Sequence, residues 1–421
     1  MTERTKKILL LILFIIITLL IGFALYYFFF RPFIAPPAPT PTIPPLNLPP
    51  TGFPVIPPAL NLPVTIPALN LPPGVRPEIP TIPPTAAVPG PEISYQATGG
   101  ITAFQTLSDT TAQNAVLSTD GKNLIYYDSP TGFFYSLTPT GEKKVFSTLP
   151  FKNVSNAVWS PNKEKVILEY PDGSNIIYNF TQKKSITLPS HWKDFSFSKD
   201  SNQIAFKDMR LDPESRYIAI ADTNGGSYQE IQALGKADSD VYVSWSPNNQ
   251  YIALFREPLD ADRSEVYPIG FKGENFQKLI VEGRDLKFQW SPSGSRLLYS
   301  VFNSRSNYNP LLWVANSDPN FLGTGRKSLE LQTWANKCAF YSDSIIYCAV
   351  PQSLDQGMGF SEDMANEIPD NFYKINVDTG TKEFIAQPLF STTVDKLMVS
   401  EDGQYLYWTE KISGQIKKIN L

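Results

Sequence analysis

The sequence predicts an all-β fold, a seven-bladed β-propeller, from a recurring hairpin unit and from the spacing of its copies. The unit is clearest in WSPNNQYIALF, Trp245 to Phe255, where a short polar turn joins two apolar strands. Successive copies begin 38 to 59 residues apart, which leaves room for two further strands in each. Such a period is typical of propellers, in which one repeat forms one four-stranded blade. The seven copies begin at Leu117, Trp159, Phe197, Trp245, Trp290, Phe340 and Val399.

Each copy has the residues that a tight hairpin needs. A large apolar residue ends the first strand, where it can fill the space between neighbouring blades. Serine follows in six copies, and Asp or Asn usually follows two residues later. These short side chains can hydrogen-bond the backbone of the turn, and Gly, Asn or Ser near the tip tolerates positive φ. The apolar run after the turn, such as Tyr251–Leu254, predicts a central strand buried on both faces.

The units WSPNN, WSPSG and WSPNK, each followed by an apolar strand, resemble the WD-like repeat of TolB-type bacterial propellers. Similar turns occur in the propeller domain of prolyl-oligopeptidase and dipeptidyl-peptidase enzymes. The likeness covers residues from about 100 to 421. The TolB resemblance implies a propeller fold and protein–protein contacts in the cell envelope, and it maps no interaction residue onto this chain.

The last copy supplies only three strands, which we expect at Lys396–Ser400, Tyr405–Thr409 and Gln415–Leu421. The missing outer strand can come from ITAFQTL, Ile101 to Leu107, just before the first copy. This pairing would join both ends of the domain. It would also remove an open sheet edge, which is otherwise prone to aggregation.

The N-terminal segment predicts a membrane anchor. Residues 8–30 are 23 consecutive uncharged residues, and as a helix they would extend about 35 Å. Arg4, Lys6 and Lys7 precede this run, so residues 1–7 are expected in the cytoplasm and the rest of the chain outside it, in the periplasm or at the cell surface. The alternative is a cleaved signal peptide, but the run is longer than a typical signal core.

Residues 31–92 predict a proline-rich linker. The segment between Pro32 and Pro91 contains 22 of the 38 prolines, which prevent both helices and sheet ladders. In polyproline II geometry the linker would reach at most about 190 Å. We expect a spacer that holds the propeller, residues 93–421, away from the membrane. One alternative is a plain tether. Another is a PxxP ligand for SH3- or WW-type domains.

The charge balance argues against nucleic acid as a partner. Formal net charge is −4, and residues 1–92 contribute +2, so the propeller has a charge of −6. Nucleic-acid binding needs a basic surface that releases counterions.

The connections between second and third strands predict where binding occurs, since loops on a rigid scaffold usually carry it. They are longer in blades three to six, at Asp208–Ser215, Arg256–Glu265, Phe302–Asn309 and Pro351–Asp370. Acids predominate in blades four and six, although such acids can also simply keep a loop soluble. The candidate binding residues are Arg210, Asp212, Glu257, Asp260, Asp262, Arg305, Asp355, Glu362, Asp363, Glu367 and Asp370.

No arrangement typical of catalysis or of a cofactor site is present in the sequence. His191 is the only histidine, and no GxSxG motif accompanies it. The sequence contains neither His and Cys residues at the spacing of a zinc site nor a phosphate-binding loop. The alternating carboxylates at Asp238/Asp240 and Asp260/Asp262 suit a hard cation, but they lack the rest of an EF-hand loop. We therefore expect no cofactor, while calcium binding stays open.

Cys338 and Cys348 predict a structural disulfide. They lie five residues on either side of Asp343, at the centre of the sixth turn. In such a hairpin they face each other with Cα atoms about 4.5–5.5 Å apart, within disulfide range. An exported domain permits oxidation, and two buried thiols are the alternative.

Together these features predict a non-enzymatic binding platform: a single-pass membrane protein whose propeller contacts a protein partner in the cell envelope or outside the cell. One alternative is a propeller hydrolase or lyase that acts on envelope glycans or peptides. Another is a purely structural surface element.

Overall fold

The computed structural model describes residues 17–21, 23 and 92–421. The predicted segments 1–7 and 31–91, and most of the predicted anchor at 8–30, lie outside the described residues. Residues 17–21 and 23 are helical. In the described part of the chain, no helix has the length and apolar character needed to cross a membrane.

Residues 92–421 form seven sheets, each built mainly from four consecutive antiparallel strands. First strands contact one another between blades one and two, two and three, three and four, and six and seven, so the first strands form the innermost layer of the ring. The prediction of a seven-bladed β-propeller is therefore confirmed. Blade one contains Ala112–Leu117, Leu124–Asp128, Phe133–Leu137 and Lys143–Val145; blade two contains Asn156–Trp159, Lys165–Glu169, Asn175–Asn179 and Lys184–Leu188; blade three contains Trp192–Phe197, Gln203–Asp208, Tyr217–Asp222 and Gln229–Ala233; blade four contains Val241–Val243, Ala253–Pro258, Ser264–Ile269 and Leu279–Val281.

Blade five has four consecutive strands, whereas blades six and seven also receive strands from the start of the domain. Short 3-10 helices lie in the connections, at Pro213–Ser215, Asp238–Asp240, Ser304–Ser306, Ala335–Lys337, Met358–Phe360 and Glu362–Ala365. Blade five contains Arg284–Trp290, Arg296–Phe302, Leu311–Asn316 and Lys327–Ser328; blade six contains Cys338–Phe340, Ile345–Pro351, Asp370–Asn376, Lys382–Pro388 and the added strand Ile101–Thr102; blade seven contains Val394–Val399, Tyr405–Glu410, Ile416–Asn420 and the added strand Gln105–Thr106.

The ring closes through the predicted segment, with one difference. Gln105 and Thr106 pair antiparallel with Lys418 and Lys417, so the segment supplies the outer strand of blade seven as expected. Its first two residues, Ile101–Thr102, instead pair in parallel with Lys382–Pro388 and add a fifth strand to blade six. The segment therefore joins two blades, and Phe104 between its strands packs on Trp408 with ring centroids 5.6 Å apart.

The tryptophans that end the first strands of blades two and five pack between blades, as the sequence predicts. Trp159 of blade two lies edge-on to Phe134 of blade one, 5.2 Å away, and its indole N–H donates to the Asn114 carbonyl. Trp290 of blade five stacks on Tyr251 of blade four at 5.6 Å. Aromatic pairs of this kind stabilise the contact beyond the area that they bury.

The predicted disulfide is present. Cys338 and Cys348 are directly opposite each other in the first two strands of blade six, and their sulfur atoms are bonded. Their Cα atoms are 4.0 Å apart, somewhat closer than the expected spacing. Both residues are buried, so the bond ties the innermost strand of blade six to its neighbour within the core.

Candidate functional site

Two kinds of loop emerge on one side of the ring because strands alternate in direction within every blade. These are the loops between second and third strands and the loops between blades; we call this side the loop face. The hairpin turns lie on the opposite side, the turn face. On the loop face, the connections between second and third strands span 129–132, 170–174, 209–216, 259–263, 303–310, 352–369 and 411–415 in blades one to seven.

The longest of these loops, residues 352–369 of blade six, is held against blade five. Phe360 packs on Phe302 and Tyr308, with ring centroids 4.8 and 5.4 Å away. The Gly359 N–H donates to the Tyr308 carbonyl at 2.8 Å. A Cβ atom on Gly359 would lie 2.5 Å from that carbonyl oxygen, so this close approach requires glycine. The loop is therefore a packed element with a defined outer surface.

Two of the predicted acids in blade six anchor this loop to the innermost strand of blade five and to the short helix Ala335–Lys337. Glu362 accepts hydrogen bonds from Lys287 and from Asn336. Burial raises the pKa of Glu362, but the bond and charge of Lys287 outweigh it and hold the pKa below its usual range. Asp370 is fully buried at the start of its strand, 2.9 Å from the Lys337 ammonium. The carboxylates of Glu362 and Asp370 are thus occupied by partners within the protein.

The blade-four loop is shorter than the sequence predicts, because Arg256–Pro258 and Ser264–Glu265 belong to the flanking strands. Asp260 pairs with Arg263 at 2.7 Å. Asp262 accepts from the backbone N–H and the hydroxyl of Ser304, which links blade four to blade five. These hydrogen bonds lower the pKa of both Asp260 and Asp262.

The other predicted residues of blades four to six face solvent. Glu257 is exposed on its strand and lines an outer cleft of about 460 Å³ between blades three and four. The Asp363 carboxylate lies 3.9 Å from Lys411 of blade seven. The exposed residues that could meet a partner here are Glu257, Arg305, Asp355, Asp363 and Glu367.

In blade three the predicted residues belong to a local polar cluster. Arg210 contacts the buried Asp208 at 2.8 Å and Glu230 at 3.0 Å. Asp212 accepts the Glu214 N–H and caps the short helix Pro213–Ser215. His191 lies 3.3 Å from Asp208 through Nε2, and within the described residues no hydrogen bond joins its imidazole to a serine, threonine or cysteine.

The alternating carboxylates have partners in the protein as well. Asp240 binds Arg256 at 2.5 Å, and Asp238 lies 3.5 Å from Arg216. Across residues 92–421, no three His, Cys, Asp or Glu side chains come together in a way that could hold a metal ion.

Sequence reasoning missed a set of exposed apolar side chains on the loop face. Leu211 is completely exposed, and Ile412, Phe390 and Phe360 are exposed by 70, 67 and 59%. The available signal was a large apolar residue among polar neighbours, such as Leu211 between Arg210 and Asp212. The exposed apolar set of the loop face is Leu149, Leu211, Leu259, Phe360, Met364, Phe390 and Ile412.

No protein-family model matches the chain, and no curated protein matches its sequence. Solved structures match over the propeller. The β-propeller domain of Cps50 (Swd1) from Myceliophteria thermophila is 10% identical with a TM-score of 0.52, and the match covers 76% of this chain and 99% of that one. Residues 92–421 are a seven-bladed β-propeller.

Two further solved structures match with lower TM-scores. Oligogalacturonate lyase from Vibrio parahaemolyticus is 12% identical with a TM-score of 0.48, over 77% of this chain and 98% of that one. U3-55K is 10% identical with a TM-score of 0.48, over 76% of this chain and 98% of that one. At these identities the likeness concerns the fold alone, and the similarity to TolB-type propellers stays a resemblance of the repeat.

Proposed function

We propose that the propeller is a membrane-anchored, extracytoplasmic binding platform that holds a protein partner on its loop face. The observation that carries this proposal is the exposed apolar set of that face. Isolated apolar residues are common on protein surfaces, but an accumulation on one face is typical of interaction sites. Phe360 and Met364 are the central candidates because the loop that presents them is packed in place on blade five.

The chemistry of the partner follows from the charges beside these residues. The blade-six loop, residues 352–369, has four acidic side chains and no Lys, Arg or His. Of these, Asp355, Asp363 and Glu367 are exposed. A complementary partner is therefore a protein surface with an apolar centre and a basic rim, in which the charges set orientation and association rate.

Site-specific photocrosslinking in the native cell tests this proposal. A photoreactive phenylalanine at Phe360 or Phe390 is expected to give one discrete crosslinked protein. The matched control is Phe321, which is 57% exposed on the turn face. The proposal also requires that Phe360→Ser weakens this crosslink from Phe390. Equal crosslinking from Phe321, or products of every size from all three positions, would contradict a docking surface on the loop face.

The anchored topology is a separate part of the proposal, supported by the uncharged segment 8–30 and the basic residues before it. In fractionated cells, the full chain is expected in the membrane pellet and to resist extraction by high salt and alkali. Protease added outside the cytoplasmic membrane should release a fragment that begins within the linker. A soluble mature protein that begins near residue 35 would instead establish a cleaved signal peptide.

A further inference from the structure

A pair of lysines lies in the central channel. Lys396 belongs to the innermost strand of blade seven, and Lys163 to the hairpin turn of blade two. Both side chains line one cavity of about 410 Å³ at the turn-face end of the channel. Lys396 also lines the two adjoining cavities, so it stands where they meet.

The charges of these lysines are not neutralised within the protein. The Lys396 ammonium donates to the Ala115 carbonyl at 2.9 Å, which leaves two of its three N–H groups available. Neither lysine has a carboxylate within ion-pair distance in the described residues. The neighbouring Asp395 pairs with Lys411 instead, and Glu401 is the one acid that lines the cavity.

The electrostatics of the pair agree with this geometry. Burial and the nearby charge of Lys396 lower the pKa of Lys163 to about 8. Burial lowers the pKa of Lys396 as well. Lys396 is exposed to the solvent of the channel, while the channel wall surrounds the rest of its side chain. An anion bound between the two ammonium groups would supply a counter-charge and raise the pKa of both lysines toward the ordinary value.

The position of Lys163 gives independent support. Lys163 lies at the tip of its hairpin turn, and its φ is +57°. The residue at this position has a left-handed backbone conformation in five other blades as well. The equivalent residues are the conformationally tolerant Gly121, Ser201, Asn249, Gly294 and Gly403. A lysine is unfavourable in this backbone conformation relative to glycine or asparagine. Residues held in such conformations are concentrated at functional sites.

We propose that Lys163 and Lys396 form a binding site for a small oxyanion, a phosphate or carboxylate group that enters the channel from the turn face. Two ammonium groups provide point charges and rotatable donors, which suit compact oxyanions. The proposal does not depend on the partner of the loop face, because no residue of the exposed apolar set lines the cavity that the two lysines share.

Calorimetric titration of the full chain in detergent, at constant ionic strength, tests the site. Inorganic phosphate and malonate serve as separate ligands, so that the two sources of oxyanion are distinguished. We expect saturable binding of at least one, weakened about tenfold or more in Lys163→Asn and in Lys396→Met. The matched control Lys122→Asn removes an exposed lysine from the blade-one turn on the same face and should leave affinity unchanged.

The stability of these variants separates loss of the site from loss of the fold. Because asparagine tolerates the left-handed conformation, Lys163→Asn should melt at the same temperature as the parent or higher, while it loses the anion. Binding of neither anion at millimolar concentration would overturn the proposal. Parental affinity in both Lys163→Asn and Lys396→Met would overturn it as well.

A chemical probe gives a second readout. Pyridoxal 5′-phosphate has an anionic group and an aldehyde; a free lysine amine adds to the aldehyde carbon, water leaves, and borohydride reduces the resulting imine. Lys163 should be labelled ahead of the exposed Lys122, since its lowered pKa leaves more free amine near neutral pH. The bound anion should protect it. Equal labelling of Lys163 and Lys122, unaffected by anions, would count against the site.

Discussion

Six serines make the same hydrogen bonds in the hairpin turns of the blades. Each side-chain oxygen accepts the backbone N–H five residues later, and in five turns the hydroxyl also donates to Asp or Asn two residues on. The turn polar groups are therefore satisfied locally, so the apolar strands can be buried. These serines are Ser118, Ser160, Ser198, Ser246, Ser291 and Ser400.

Replacing one of these serines tests their contribution to stability. In Ser246→Ala the buried Tyr251 N–H loses its acceptor at 2.9 Å. We expect the free energy of unfolding to fall by about 1–3 kcal/mol. Urea denaturation, monitored by tryptophan fluorescence, measures this free energy of unfolding. The control Ser353→Ala, on an exposed loop residue, should change it by less than about 0.5 kcal/mol. An equal effect of both substitutions would show that the turn bonds are not stabilising.

The aspartates of these turns make stability sensitive to acid. Hydrogen bonds from the turn serines lower the pKa of Asp120, Asp200 and Asp402 below the ordinary value. A depressed folded-state pKa contributes stability above the unfolded value, and this contribution is lost as pH falls through the folded value. The effect therefore belongs to the region below about pH 4.

Blades two and four already have asparagine at this position, Asn162 and Asn248, with the same bond from serine. The triple change of Asp120, Asp200 and Asp402 to Asn should therefore keep the turn and remove the protonation. Between about pH 4 and pH 2 the triple variant should lose less stability than the parent. The measurement is the midpoint of urea denaturation as a function of pH. The reverse changes, Asn162→Asp and Asn248→Asp, should steepen it. Identical pH profiles for parent and triple variant would refute the assignment.

Among the elements, blade six shows what sequence spacing can predict and what it cannot. Cys338 and Cys348 were assigned from their symmetry about Asp343, because the register of a hairpin follows from its turn. The buried pair of Lys337 and Asp370 was not assigned, since 33 residues separate its members and a loop lies between them. The sequence placed Asp370 among the exposed acids of that loop, whereas the structure buries it beside the innermost strand.

This buried pair is expected to hold the blade-six loop in place. Asp370→Asn would leave the Lys337 ammonium buried without its counter-charge, and we expect it to reduce the free energy of unfolding by about 3–5 kcal/mol. Denaturation by urea is again the measurement. Asp355→Asn, an exposed acid in the same loop, is the control and should be close to neutral. If the cost comes from the unpaired Lys337 charge, the double variant Lys337→Met/Asp370→Asn should recover much of the lost free energy of unfolding.

At the scale of the whole molecule, repetition made the ring predictable. Seven similar hairpins can bury their apolar faces only against one another, so blade number followed from counting. The central channel exists only after closure, which explains why Lys163 and Lys396, 233 residues apart in number, were not recognised as neighbours. Which apolar side chains are exposed on the loop face likewise depends on tertiary packing. Phe360, for example, is presented by a loop that packs on Phe302 of another blade.

Closure of the ring is the feature on which the whole domain depends. Deleting Ile101–Leu107 removes two strands at once, the fifth of blade six and the fourth of blade seven. It also removes Phe104 from Trp408 and the buried Leu107 from the core between blades seven and one. Loss of the buried Leu107 side chain alone is worth about 2–5 kcal/mol, and a domain is stable by only about 5–15 kcal/mol.

We therefore expect the deletion variant to lose its cooperative melting transition or to associate through the freed edge of Ile416–Asn420. Circular dichroism during heating and size-exclusion chromatography of the full chain in detergent measure the two outcomes. The matched control deletes seven residues of the predicted linker, 56–62, and should melt like the parent. A monomeric Ile101–Leu107 deletion variant with the parental melting temperature would mean that pairing between the two ends of the domain does not hold the ring together.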